Sequence, residues 1–281
     1  MTNPPRQHVL ITGVSTGIGY DAARYLIARG FYVFGSVRTQ ADAERVRASL
    51  GERFTPLLFD VTDAAAIKAA VSEVAAAVGD SGLHALVNNS GISGPAPLMH
   101  VPLDEVRQMF EVNVLGLLAV TQAFLPLLGA RSNCPHPPGR IVNISSISGG
   151  LAFPLLGAYA GSKHAVEALT DALRRELHLF GIAVIGIEPG NIRTPIWEKA
   201  TEADTRFADT AYAPYMAKVP QLLADMGRKA APVEVVSRTI HKAITAPRPK
   251  TRYPLTPLWR IARMGTDRML DRLTRAAMGF R

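Results

Sequence analysis

The sequence predicts a single-domain α/β fold, a doubly wound parallel sheet of about seven strands with helices on both faces. Three observations carry this. Short runs rich in β-branched and aromatic residues alternate with longer helix-periodic segments up to about residue 187. The short runs are almost continuously apolar, as strands buried on both faces are, and the segments between them suit helical crossovers joining parallel neighbours. The chain is also of single-domain size, 281 residues with 48% hydrophobic content, which excludes a disordered, collagen-like or disulfide-stapled protein. No internal repeat or interdomain linker interrupts it.

The elements follow in order. Residues 8–12 (HVLIT) form a strand that ends in the glycine-rich turn 13–19 (GVSTGIG). After it, Ala22, Ala23, Leu26 and Ile27 recur at helical spacing, and Gly30 stops the helix. Residues 31–37 (FYVFGSV) read as the second strand and 41–49 as a charged helix. The alternation continues with strand 54–59 and helix 63–78, strand 83–88 and helix about 103–128, strand 140–145 and helix about 158–180, then strand 182–187. Between Glu111 and Arg131 there are 19 residues without a charge, close to membrane-spanning length. Asn113, Thr121, Gln122 and Pro126 interrupt that stretch, and a crossover helix is due there. Burial against the sheet on one side and a partner subunit on the other is therefore expected.

Net charge is +8, but nine of the Lys/Arg residues lie from Arg248 onward, against only Asp267 and Asp271. The body is nearly neutral and the tail is basic, which speaks against a nucleic-acid-binding body. The tail sets Leu258, Ile261, Met269, Leu273, Ala276 and Phe280 among arginines. That pattern suits a helix that covers a cleft, joins a subunit interface or lies on an anionic membrane, with membrane contact the less favoured. The single cysteine, Cys134, fits a reducing compartment, and the start MTNPPRQHVLITG lacks a secretory signal, so a cytoplasmic location is expected. Cys134 and His136 offer too few ligands for a metal site.

The chemistry-bearing residues stand at strand ends. Glycines at the first strand–helix turn let a pyrophosphate approach backbone N–H groups at a helix N-terminus. The second strand ends in Ser36-Val37-Arg38-Thr39, with a guanidinium where an NAD-binding sheet keeps a carboxylate. Arg38 either holds a 2′-phosphate, with Ser36 or Thr39 adding hydrogen bonds, or is a solvated strand-end arginine. NADP(H) is favoured over NAD(H). Tyr159 and Lys163 are four apart on a helix, so hydroxyl and ammonium face one cavity, and a nearby cation favours the phenolate. Ser146 follows the strand at 140–145 and reaches the same crevice. Asn113 lies in the uncharged helix, where a buried amide needs a partner such as water; a purely structural amide is the alternative.

TGVSTGIG (12–19), Asn88-Asn89-Ser90-Gly91, Asn113, Ser146, Tyr159/Lys163 and Pro189-Gly190 occur in the order and at the spacings of the short-chain dehydrogenase/reductase family. The chain resembles that family over about residues 6–250, and VGDSGLHALVNNSGIS and GFYVFGSVR are similar to its retinol and hydroxysteroid dehydrogenase branch. Ser90 departs from the family's usual alanine. The resemblance implies a Rossmann-type sheet and a cofactor held by Gly13, Ser15, Thr16, Gly17, Ile18 and Gly19. It places Asp60 and Val61 at the adenine, Asn88 along the adenosine side, and Ser90 and Gly91 beside the cofactor. Pro189, Gly190, Ile192 and Thr194 would meet the carboxamide and phosphate region. Asp60 has an alternative as a turn or helix-cap carboxylate.

By the same resemblance Tyr159 is the general acid/base, and Lys163 lowers its pKa and binds the nicotinamide ribose. Ser146 holds the substrate oxygen, and Asn113 anchors a water in a proton relay. A homodimer or homotetramer is implied, through the uncharged helix and the Tyr159 helix. Residues 1–253 form the domain, with a substrate-binding insertion at about 195–231, and 254–281 a basic amphipathic extension packed on or beside it. Trp197, Phe207, Tyr212, Tyr215, Met216, Leu222, Leu223 and Met226 make the insertion apolar. They either receive a lipophilic alcohol or ketone or pack the insertion onto the body. The expected activity is hydride transfer between NADP(H) and a lipophilic secondary alcohol, ketone or aldehyde. Rivals are an NAD-dependent retinoid- or steroid-type dehydrogenase and a non-catalytic dinucleotide sensor, which the complete Asn113/Ser146/Tyr159/Lys163 set disfavours.

Overall fold

The computed structural model describes residues 7–194, 204–257 and 264–278. Trp197 of the insertion and Leu258, Ile261 and Phe280 of the tail lie outside the described residues. Strands β1 (His8–Ile11), β2 (Tyr32–Val37), β3 (Phe54–Leu58), β4 (Ala85–Asn88), β5 (Arg140–Ile144), β6 (Ala183–Glu188) and β7 (Arg252–Pro254) form one sheet in the order β3-β2-β1-β4-β5-β6-β7. Every neighbouring pair is parallel. The strand order reverses between β1 and β4, and the crevice at the carboxyl ends of these strands is where such sheets bind ligands.

Helices cover both faces. Val9 and Ile11 point to the layer of α1 (Gly17–Ile27), α2 (Gln40–Leu50) and α9 (Glu234–Thr245), where they meet Leu26, Val46 and Ile240. Leu10 points the other way, to the layer of α3 (Ala64–Val78), α5 (Gly116–Phe124) and α6 (Gly157–Glu176), with Val74, Phe124 and Leu173. A fully buried Leu, Ile or Phe contributes about 1.5–3 kcal/mol, so these two layers dominate stability. Thr39 caps α2 by accepting from Asp42 N, and Asp63 caps α3 by accepting from Ala66 N. Thr16 stands at the N-cap of α1 without a side-chain cap bond, which leaves the first N–H groups of that helix to a ligand or water.

The expected strands lie within a residue or two of the observed ones. The long uncharged segment is α4 (Leu103–Phe110), a π turn (Glu111–Leu115), α5 and a 3₁₀ turn (Leu125–Leu128). By length and composition alone, Leu103–Leu128 could cross a membrane, but half of its apolar window is buried within the protein. Two elements that the sequence reading did not place, α9 and β7, complete the body. Because β7 pairs Pro254 with Glu188, and Leu255 N–H donates to Glu188 O, the sheet runs past the expected boundary at residue 253. In the tail helix Asp267–Met278 no residue from 264 to 276 is buried, and Met269 and Leu273 are exposed. An amphipathic pattern specifies a face, not what covers it.

Candidate active site

The glycine-rich loop is shaped by contacts that leave no room for side chains. Gly13 and Gly17 have φ of +69° and +61°, which non-glycine residues rarely adopt. A Cβ on Gly19 would lie 2.2 Å from Gly13 O and 2.5 Å from Asn89 Nδ2. Asn89 staples the loop: its Nδ2 donates to Thr12 O (2.8 Å) and Gly13 O (3.1 Å). The Thr12 hydroxyl in turn accepts from the backbone N–H groups of Asn89 and Ser90. Gly17 faces Thr194, whose Cβ would be 3.5 Å from a Cβ there, so the segment after β6 closes over the loop. Ser90 Oγ lies against Gly13, and Ile18 is half-buried behind it. The bare loop, the uncapped α1 and the exposed Arg38 just past β2 fit a dinucleotide phosphate chain.

The catalytic candidates converge at the ends of β4 and β5. Ser146 is extended (φ −165°) and accepts from Ser148 N at 3.1 Å, which opens a short 3₁₀ turn. Tyr159 lies close enough to Ser146 for the serine side chain to favour its phenolate. Lys163, one turn on, is buried and donates to Ile144 O at 2.9 Å, with Nζ 5.8 Å from the centre of the Tyr159 ring. Asn113 sits in the π turn, buried, with Oδ1 accepting from Ile92 N (2.8 Å) and Nδ2 donating to Ile92 O and Ser162 Oγ (both 2.9 Å). Ser162 Oγ donates to Tyr159 O at 2.7 Å, so this serine ties the π turn to the catalytic helix. Gly91 lies between: a Cβ there would be 3.2 Å from Asn113 Oδ1 and 3.7 Å from Lys163 Nζ.

Burial governs the ionisation of the pair. It holds the Tyr159 hydroxyl above the usual tyrosine range, against the opposing effect of the Ser146 side chain. It also pushes the Lys163 ammonium down to about 8, opposed by the negative charge of Glu167. The expected lowering of the Tyr159 pKa by Lys163 is not among the effects on this group, where burial acts first and the Ser146 side chain opposes it.

Other expected residues are engaged differently. Asn88 does not turn toward the adenosine side. Its Nδ2 donates to Thr121 Oγ1 and Asn143 Oδ1 (both 2.9 Å), and Asn143 Nδ2 donates to Thr170 Oγ1 (2.9 Å). The register pairs Asn88 with Asn143, so both side chains enter the sheet–helix layer and dock α5 and α6 on β4 and β5. Asn113 has its amide occupied by Ile92 and Ser162, so the side chain holds structure where a water anchor was expected. Asp60 Oδ1 accepts from Thr62 N and Thr62 Oγ1, a turn carboxylate at half-buried depth, while Asp63 provides the cap. Ser36 Oγ is buried and accepts from Gly13 N at 2.9 Å, and Thr39 caps α2, so neither stands free beside Arg38.

The remaining expected contacts frame the crevice. Val61 is buried against Gly116, where a Cβ would meet its Cγ2 at 2.7 Å. Ser15 O accepts from Arg45 Nη2 at 2.9 Å, which steadies the loop beside the exposed Thr16. Pro189 O accepts from Ile147 N (2.9 Å), Gly190 abuts Thr256, and Ile192 is buried in a bridge to Ala231. The sequence reading missed Asn89 as the loop's staple and Ser162 as the link between Asn113 and Tyr159. It also missed Leu155, a buried leucine at φ +64° whose carbonyl accepts from Ala96 N just before α6.

A cavity of about 240 Å³ opens beside Ala158, with Ala96, Val106, Met109, Met216 and Val219 as apolar walls. Glu105 and Asp204 flank it, both ion-paired with Arg206, which ties the insertion to α4. Phe207, Met216 and Val219 form a small core with Ala96 and Leu155, so part of the insertion's apolar content packs it onto the body.

A tyrosine hydroxyl and a buried lysine beside a glycine-rich loop suited to a phosphate chain are what alcohol–carbonyl redox chemistry requires, and fold and site together fit an oxidoreductase of that class. Comparison with known proteins makes the assignment specific. The chain belongs to the short-chain dehydrogenase family, whose model matches residues 7–205. It is 41% identical to the NADPH-dependent 3-dehydrocapnine reductase of Ornithobacterium rhinotracheale, over 95% of each chain. It is 33% identical to retinol dehydrogenase 16 of Rattus norvegicus over 88% of this chain and 80% of that one. A crystal structure of a short-chain dehydrogenase from Streptomyces avermitilis superposes with a TM-score of 0.77 at 28% identity, covering 98% of this chain and 96% of the other.

Proposed function

We propose that the protein is an NADP(H)-dependent oxidoreductase that interconverts a lipophilic secondary alcohol and its ketone, or acts on an aldehyde, with Tyr159 as general acid/base. The observation that carries this is Tyr159 beside Ser146, one helical turn from the buried Lys163, next to a cavity with apolar walls. Arg38 in place of a strand-end carboxylate supports the 2′-phosphorylated cofactor, as does the relative described as NADPH-dependent.

With its phosphates held by the glycine loop, the bound cofactor would supply the hydride in reduction and accept it in oxidation. The Ser146 hydroxyl donates to the substrate oxygen and holds it at Tyr159. Tyr159 gives its proton to that oxygen in reduction and takes it back in oxidation. Its raised pKa keeps it a proton donor at neutral pH, and Lys163 stabilises the phenolate that forms. Because the Asn113 amide is engaged, a relay water would sit on a carbonyl of the π turn, where the i→i+5 pattern displaces the regular helix bonds. We further propose a cytoplasmic homodimer or homotetramer; the exposed Leu103 and Leu115 on the long helix support a covering copy.

Titration of the purified protein with NADPH and NADH, followed by reduction of aliphatic, aromatic and steroidal ketones, tests the reading. NADPH is expected to bind more tightly, and Arg38→Ala to weaken NADPH by about 10- to 100-fold while sparing NADH, the range of one charge-assisted hydrogen bond. Equal NADPH affinity in the variant would remove the 2′-phosphate contact, and binding of neither nucleotide would overturn the function.

A further inference from the structure

Beneath Lys163 lies a buried charged cluster that the proton transfer above does not use. Glu167 follows Lys163 by four residues, so the two side chains share one face of α6, one turn apart, and both are buried. Gly149 makes room for it: a Cβ there would lie 2.8 Å from Glu167 Cγ and 3.1 Å from Lys163 O. Glu167 Oε2 accepts from Arg252 Nε at 2.9 Å and lies 2.8 Å from Nη2, while its Oε1 is buried without a hydrogen-bond partner. Arg252, on β7, also donates to Asp171 Oδ1 (2.8 Å) and lies 3.2 Å from Glu188 Oε1, at the buried end of β6. Arg174 pairs with Asp171 at 3.1 Å, and the exposed Arg175 stands 3.9 Å from it.

Leaving the solvated Arg175 aside, the cations Lys163, Arg174 and Arg252 balance the carboxylates Glu167, Asp171 and Glu188. The groups facing Lys163 from the other elements are neutral: Ile144 O from β5, Asn113 from the π turn, and Tyr159 from its own helix. Glu167 is the carboxylate whose charge favours the ammonium.

We propose that Glu167, anchored by Arg252, is a positioning residue: it keeps the buried Lys163 ammonium protonated and so sets the upper pH at which Tyr159 works. This rests on the catalytic reading of Tyr159 and Lys163 given above. An opposite charge within about 4–6 Å moves a pKa by about 1–3 units, which is the size of effect to look for.

The test titrates the ¹³Cε resonance of Lys163, assigned by its loss in Lys163→Met, in the full-length wild type, Glu167→Gln and Glu167→Asp. The pH profile of kcat is measured alongside. Glu167→Gln is expected to lower the Lys163 midpoint by about one unit or more and to carry the alkaline limb of kcat down with it, with KM little changed. Glu167→Asp, which keeps the charge, lowers the midpoint less and restores most of the limb. An unmoved Lys163 midpoint in Glu167→Gln overturns the proposal, even if stability falls. Should that variant not fold, an Asp variant with the wild-type midpoint and a displaced kcat limb overturns it equally. The resonance needs no substrate, so absence of turnover on every ketone would bear on the functional reading alone.

Discussion

Two buried polar groups share α6 and β5, and burial acts on them in opposite ways. The ladder Thr121–Asn88–Asn143–Thr170 is made of neutral groups whose amide donors find partners across the sheet, with Asn88 Oδ1 left over. A few residues away, Ser146, Tyr159 and Lys163 lose the same water, and there the loss shows as displaced ionisation. Neutral amides bury at little net expense when paired, and they specify how helices dock on strands. Ionisable groups do not, and their displaced equilibria are what proton transfer uses.

The sharpest way to separate the two is Tyr159→Phe. Turnover is expected to fall by about 10²–10⁴-fold, while NADPH affinity and thermal midpoint stay near wild type. Activity retained within a few-fold would remove Tyr159 as the acid/base. The converse variant is Asn143→Leu, which removes the partner shared by Asn88 and Thr170. It is expected to cost about 1–3 kcal/mol in urea unfolding, with kcat per folded molecule nearly unchanged. A collapse of kcat at unchanged stability would show that the ladder belongs to the catalytic machinery.

The smallest effect is one of pH. Lys163 is displaced from 10.5 to about 8 in the folded chain. Below pH 8 both folded and unfolded chains carry the proton, and burial of the cation opposes folding in full. Between 8 and 10.5 the unfolded chain binds the extra proton, so stability rises with pH across that window. Relative to Lys163→Met, the cofactor-free wild type is expected to gain up to about 1 kcal/mol for each pH unit in the window. A constant difference between the two at pH 8 and pH 9.5 would mean that Lys163 is not displaced.

Much of this molecule is readable locally. Apolar runs and their spacing locate the strands, and the glycine turn, Ser146, Tyr159 and Lys163 stand where strand ends must meet. What escaped depends on distance along the chain. Asn89 and the Thr12–Gly13 turn it staples are brought together only by the pairing of β1 with β4, and Asn88 turns inward because β5 sets Asn143 beside it. The Tyr159 pKa moves up because neighbours from several elements exclude water, while the sequence displays only the lysine four residues on. β7 is three residues long and ends in proline, too short for a period to register. Thr39 was legible after all: a threonine followed three residues later by an aspartate is a cap signal, and only its nearness to Arg38 suggested otherwise.

The π turn at Glu111–Leu115 has a consequence for tolerance to change. A π turn inserts one residue into a helix, so the stripe of α4 and the stripe of α5 are out of phase with each other. Deleting a residue of this turn other than Asn113 would close it into regular α-helix, because the residue lost is the one the wide turn had absorbed. Thr121 would keep its place against Asn88, whereas a deletion in α5 ahead of it would turn it away by about 100°. The π turn is thus where the long helix can absorb a single-codon deletion; in α5 the same change acts as a frameshift of the helix surface.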